Sequence, residues 1–199
     1  GLLAALRQRR LADYGINLFC FAGKSVPPFW LALMLILVFA VDLNWFPAGG
    51  IETVGASGFV DRLRHLVLPV TCLTLLNLAS VARLMRAETI AAMRQDYVRT
   101  ARAKGLAEGR VIWGHALRNA LNPVVTVIAL EFGTLFSGAL ITETVFAYPG
   151  MGKMIYDAIL GNDYNLALIG LLFATLLVLA GNLAADLGYA ALDPRISYK

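Results

Sequence analysis

The chain has 199 residues, of which 59% are hydrophobic and only 15% charged, with a net charge of +4 and a mean hydropathy of +0.69. Ordinary soluble domains are roughly 45–50% apolar, so this balance excludes a soluble core and predicts an all-α, polytopic membrane helical bundle built as one domain over 1–199. The basic residues cluster beside apolar stretches, which ties them to topology and anionic headgroups and excludes nucleic acid as the expected partner.

The first ten residues, GLLAALRQRR, read as the tail of an apolar helix meeting a basic loop. A signal peptide would place its charges before the apolar run, so the chain is expected to be a fragment with its amino-terminal part upstream. The first predicted span covers 26–46. Pro27-Pro28 opens it, which suits a first helical turn, and Trp30 and Trp45 mark its two interfaces. The second covers 66–84 and carries Pro69; the third covers 123–146; the fourth covers 166–187. Each approaches the roughly 20 residues needed to cross a bilayer. Cys20 and Cys72 fall in or beside apolar stretches without metal-ligand spacing and are expected to be inert buried thiols.

Between the second and third spans lies a polar island, 83–122, holding eight of the 17 Lys and Arg residues. Counted about the four predicted spans, fourteen basic residues lie on one side and three (Arg62, Arg64, Lys153) on the other. That bias puts the island and both ends of the chain in the cytoplasm. Within the island, 87–104 lacks glycine and proline. Leu84, Ile90, Met93, Tyr97 and Val98 recur there at helical spacing. Gly105 should end this helix in the left-handed cap conformation, with Arg102 and Lys104 complementing the negative end of its dipole. A second helix is predicted over 108–121, stopping before Pro123. The physics reaches a helical hairpin with a basic elbow, a docking element facing the cytoplasm.

The third span is the least apolar. It contains Glu131 and Glu143, with Thr134, Gly138 and Thr142 spaced four apart so that one continuous helix would carry them on one face. Small and hydroxyl residues let helices approach closely, and an intramembrane Glu turns to a partner or a wet cavity. Glu131 is thus expected to line a pathway or subunit interface or to act as packing glue, and Glu143 to be solvated near the outer boundary. His65 and His115 stand alone and are expected to be structural. No catalytic set and no metal set is readable.

The segment DYVRTARAKGLAEGRVIWGHALRNALNPVV, 96–125, resembles the cytoplasmic EAA loop of binding-protein-dependent ABC transporter permeases, with the central glycine at Gly105. Tyr97, Thr100, Ala101, Ala103-Lys104-Gly105, His115, Arg118-Asn119 and Pro123 match the dipeptide/oligopeptide/nickel branch. ETVFAYPGMGKMIYDAILGNDY (143–164) and LDPRISY (192–198) resemble its B-type permease. The chain departs from the general loop pattern in having Arg99-Thr100-Ala101 where Glu-Ala-Ala is usual. The resemblance implies about six spans, with a first span, an outward domain and most of a second span upstream. It implies a partner set of a second permease subunit, two ATPase subunits and an extracytoplasmic solute-binding protein, in a bacterial or archaeal plasma membrane.

It also implies an elbow of Ala101, Arg102, Ala103, Lys104, Gly105 and Leu106, braced by Tyr97, Val98 and His115, that couples an ATPase to the membrane. No cofactor is expected in this chain. The resemblance implies that ATP and Mg are bound by the partner ATPases; in this chain the lookalike Ala22-Gly23-Lys24-Ser25 has Leu18 where a phosphate-binding loop needs glycine. Two other classes stand beside this reading. One is a membrane-embedded enzyme using Glu131, Glu143 or His115 as acid or base; the other is a scaffold subunit docking a cytoplasmic partner.

Overall fold

The computed structural model describes the backbone of residues 1–55, 58–135 and 139–192, and side chains at all of these except 129, 132–134 and 185–192. The elements in chain order are α1 (Leu2–Leu6), α2 (Leu11–Ser25), α3 (Pro28–Leu35) with a π-helical continuation Ile36–Asp42, and α4 (Phe59–Met93). They continue with α5 (Asp96–Ala103), α6 (Glu108–Arg110) with a π-helical stretch Val111–Ala116, α7 (Leu117–Leu135), α8 (Leu140–Val145), α9 (Met151–Leu160) and α10 (Tyr164–Leu192). The all-helical expectation holds among the described residues.

The chain divides into two compact units. The first comprises Gly1–Lys24, Leu78–Leu130 and Leu183–Lys199. Its core is Ala92, Val98, Ala101, Val111, Ala116 and Ala120, with Met85, Met93 and Leu106 packed against it. Small side chains at these positions bring helix backbones close, and the longer Met and Leu side chains fill the periphery. The second comprises Ser25–Asn77 and Glu131–Asn182. Ala32, Leu35, Leu68, Cys72 and Phe146 form its core. The segment after α3 is tied to the start of α4: Thr53 donates from backbone and hydroxyl to the Asp61 carboxylate (2.6 and 2.9 Å), and Arg64 donates to the Trp45 carbonyl (3.0 Å). Buried His65 meets the Asp61 carbonyl at 2.9 Å, a structural role as expected. Both cysteines are free and buried.

The spans differ from the sequence reading in outline. Among the described residues, two helices are long and apolar enough to cross a membrane, Phe59–Met93 and Tyr164–Ala184, and there are up to three if Leu11–Ser25 and Pro28–Asp42 form one broken span. The predicted first span is helical only over Pro28–Leu35 and Ile36–Asp42; before it, Arg7, Arg9 and Arg10 lie in the turn that follows the short apolar helix α1, as expected, and Leu11–Ser25 forms a further helix, α2. The predicted third span is not one unbroken helix: α7 is described as far as Leu135, and Ala139, with φ −112° and ψ 64°, is the non-helical cap of α8. The predicted second helix of the island does not stop before Pro123 but runs through it as α7. Pro123 is the seventh residue of that helix, and apolar packing on either side outweighs the one backbone bond its ring removes. The first island helix, expected to be unbroken, is divided at Arg94 and Gln95, and Gln95 is extended (φ −74°, ψ 153°) ahead of α5.

Candidate functional site

The elbow is built by a complete helix-stop motif. The last helical carbonyls of α5 are taken by the amides that follow: Gly105 N–H donates to the Arg102 carbonyl at 2.9 Å and Leu106 N–H to the Ala101 carbonyl at 3.4 Å. This paired pattern is the Schellman motif, and it needs a left-handed residue just past the cap. Gly105 supplies it at φ +72°. A Cβ at Gly105 would meet nothing within 4 Å, so backbone conformation and not crowding selects glycine there. Leu106 then folds back onto the core beside Ala101, the apolar contact that accompanies such a stop.

Across the turn, Arg102 donates to Glu108 through Nη2 at 2.5 Å and Nε at 3.1 Å. This two-pronged bond joins the last turn of α5 to the first turn of α6, so each charge also suits the helix end it occupies. The bond to Arg102 holds the Glu108 carboxyl below its ordinary range, and the reciprocal bond pushes the Arg102 guanidinium up. Val98 and Ala101 are buried, as a packing brace requires, and Leu106 is half-buried. Tyr97, Arg102, Ala103, Lys104, Gly105 and His115 lie exposed on the outside. Tyr97 and His115 therefore do not brace the turn from within; they belong to its outer surface. Trp113, absent from the sequence reading, is 66% exposed on the π-helical stretch after α6. An indole this open in a polar island was a signal, since exposed aromatics beside Arg are the residues that anchor protein interfaces.

Of the second group of expected residues, Glu131 and Thr142 have described side chains. Thr142 is buried on α8, within hydrogen-bonding reach of the Cys72 thiol, and Glu131 is exposed on α7. The helix break at Ala139 removes the continuous helix on which the four-residue spacing rested. Gly138 lies outside the described residues, as does the side chain of Thr134.

Glu143 has a definite role that solvation near the interface did not anticipate. Its Oε1 accepts the Ala139 N–H at 2.9 Å and its Oε2 the Lys153 N–H at 2.7 Å, so one carboxylate satisfies free amides at the starts of α8 and α9. A Cβ at Gly150 would overlap this carboxylate, which explains the glycine before α9. Ala147 turns the intervening chain at φ +48°. With both oxygens occupied by structural bonds, Glu143 is a staple between helices and not a free acid or base. Asp163 performs the simpler version of this work for α10, accepting the Leu166 N–H at 3.0 Å.

The chain matches the family model described as "Binding-protein-dependent transport system inner membrane component" over residues 1–198. It is 42% identical over 199 residues to the oligopeptide transport system permease protein AppB of Bacillus subtilis, covering 100% of this chain and 63% of that protein. It is 42% identical over 218 residues to the di/tripeptide transport system permease protein DppB of Pseudomonas aeruginosa, and 38% identical over 221 residues to the dipeptide transport system permease protein DppB of Escherichia coli K12. Each of these two alignments covers 100% of this chain and 65% of the relative. The chain thus spans a little under two thirds of the length of these relatives. With a match running nearly end to end, and apolar helices long enough to cross a bilayer, the chain belongs to the family of binding-protein-dependent transport system inner membrane components.

Proposed function

We propose that this chain is a permease subunit of an ATP-driven importer that carries peptides or related small solutes across the plasma membrane. It pairs with a second permease subunit to enclose the pathway, is powered by two ATPase subunits that bind ATP and Mg, and receives substrate from an extracytoplasmic solute-binding protein. Residues 83–122 form the coupling loop. The observation that carries this reading is the elbow: a turn closed by two backbone bonds, bracketed by Arg102 and Glu108, seated on a buried core, with Tyr97, Lys104, Trp113 and His115 outward. A stiff element of this kind passes a displacement on instead of absorbing it, which is what biasing two discrete states of a pathway requires. The names of the relatives support peptides as the substrate class.

Four crossings follow, at 26–46, 66–84, 123–146 and 166–187, with the coupling loop and both ends of the chain on the cytoplasmic side. The third crossing is a broken one, α7 followed by α8. Interrupted helices are tolerated at membrane depth where they are buried in protein or line a cavity. That supports Glu131, Thr134, Gly138 and Thr142 as residues of the pathway or of a subunit interface.

The test is reconstitution of the complete importer in proteoliposomes with Arg102→Glu and Lys104→Glu together. Peptide uptake should fall about tenfold or more while capture of peptide by the binding protein is unchanged, a coupling loss in the usual range of 5–150-fold. Normal uptake by an assembled variant complex would refute the coupling role.

A further inference from the structure

In the first unit a charge pair joins Asp13 of the amino-terminal segment to Arg86, near the start of residues 83–122. The Asp13 side chain, on α2, is only 5% exposed, and it faces Arg86, seven residues before the end of α4. Arg86 donates through Nε and Nη2 to the two carboxylate oxygens, both at 2.7 Å. Asp13 also accepts the Arg9 N–H at 3.0 Å and the Asn17 Nδ2 at 2.6 Å. Arg9 has φ +60°, unusual for a residue with a side chain, so the turn between α1 and α2 is held partly by Asp13.

What surrounds the pair gives it a purpose beyond local stability. Met85, adjacent to Arg86, and Met93 pack on the elbow core that contains Val98, Ala101 and Val111. Ala4 and Ala5 of α1 are buried as well. A cleft of about 460 Å³ has Leu6, Arg7 and Arg10 on one wall and Arg102, Glu108 and Ile112 on the other. The amino-terminal arm thus lies beside the elbow, joined to the same helix. Apolar helix contacts permit sliding by an ångström or two, whereas a bidentate Arg–carboxylate bond is directional and leaves a buried charge unpaired when it slips.

We infer that Asp13 is a positioning residue of the coupling apparatus: by clamping Arg86 it makes the arm 1–24 and the elbow-bearing end of α4 move as one body. Displacement at the elbow then reaches the membrane through α2 as well as through α4 and α7. This rests on the proposed importer function, and the experiment separates the two.

The full-length importer is reconstituted in proteoliposomes, and solute taken up per ATP hydrolysed is measured alongside assembly. Asp13→Asn should lower that ratio about fivefold or more while ATP hydrolysis continues. Arg86→Lys, which keeps the charge but not the two-pronged geometry, should fall between it and the wild type. In parallel, spin labels at the exposed positions Leu11 and Ala87, with Asp13 and Arg86 intact, report the distance between arm and α4 in nucleotide-free and ATP-trapped complexes. It should change by less than about 2 Å, the scale of a helix shift, and by more once Asp13→Asn is added. An unchanged uptake ratio in Asp13→Asn overturns the inference. So does a larger distance change with the pair intact, even where Asp13→Asn does not assemble. A wild-type complex that hydrolyses ATP without taking up peptide refutes the importer reading alone, and the label distance still decides the clamp.

Discussion

At Gly105 the requirement for glycine comes from the backbone alone. The site has open space for a side chain, but its φ of +72° is costly for any L-residue with a Cβ. Gly105→Ala should therefore weaken the stop by about 1 kcal/mol, and Gly105→Val, β-branched, by more. The reporter is the Leu106 amide, whose bond to the Ala101 carbonyl exists only while the motif is closed. Hydrogen exchange across 100–110 should accelerate modestly in the alanine variant and further in the valine variant. Equal protection in all three proteins would show that the turn does not depend on glycine. The sequence was informative here because a glycine after a run of helix formers, followed by an apolar residue, has few other uses. It was uninformative for Asp13, because nothing in the order of residues tells that a carboxylate in a basic stretch will meet an arginine 73 residues away.

At the level of elements, helix interruptions were the hardest feature to read. Gln95 interrupts the island helix with neither proline nor glycine beside it, and Pro69 and Pro123 sit inside helices that continue. Local propensity is worth a fraction of a kcal/mol per ordinary residue, so packing and side-chain bonds override it. The Glu143 staple is an instance: its oxygens accept amides from the starts of two helices, and that fixes where α8 and α9 begin. Glu143→Ala should destabilise the chain in detergent by about 2–4 kcal/mol, since two bonds to a charged acceptor are lost. Gly150→Ala should act through the same carboxylate by pushing it off those bonds. The two effects should then not add, and a double variant should melt no lower than the worse single one. Strict additivity would separate Gly150 from the staple.

For the molecule as a whole, the proposed orientation in the membrane rests on charge, a property insensitive to where each helix begins and ends. Fourteen basic residues against three is a bias that no shift of a span by a few residues reverses. Ala107→Cys, exposed beside the elbow and clear of the Arg102–Glu108 bond, should be labelled by a membrane-impermeant thiol reagent only after cells are opened. The native thiols Cys20 and Cys72 are buried and should stay silent. Labelling in intact cells would place the elbow outside and end its coupling role. Much of α10 is apolar and exposed, including Leu168, Ile169, Leu172 and Phe173, a surface that lipid or a neighbouring subunit suits and water does not.

The sequence by itself determined the membrane class, the orientation expected from charge, the glycine-marked elbow and the family resemblance. Each depends on composition, sign of charge or a short contiguous pattern, and such properties do not require knowing what lies across the fold. Tertiary structure decided the rest. It divided the helix thought continuous across the third span, turned Tyr97 and His115 outward, gave Glu143 two amides to hold and brought Asp13 to Arg86. These outcomes depend on which groups meet in three dimensions, and buried hydrogen bonds and packing at such meetings outweigh the local preferences that a linear reading can weigh.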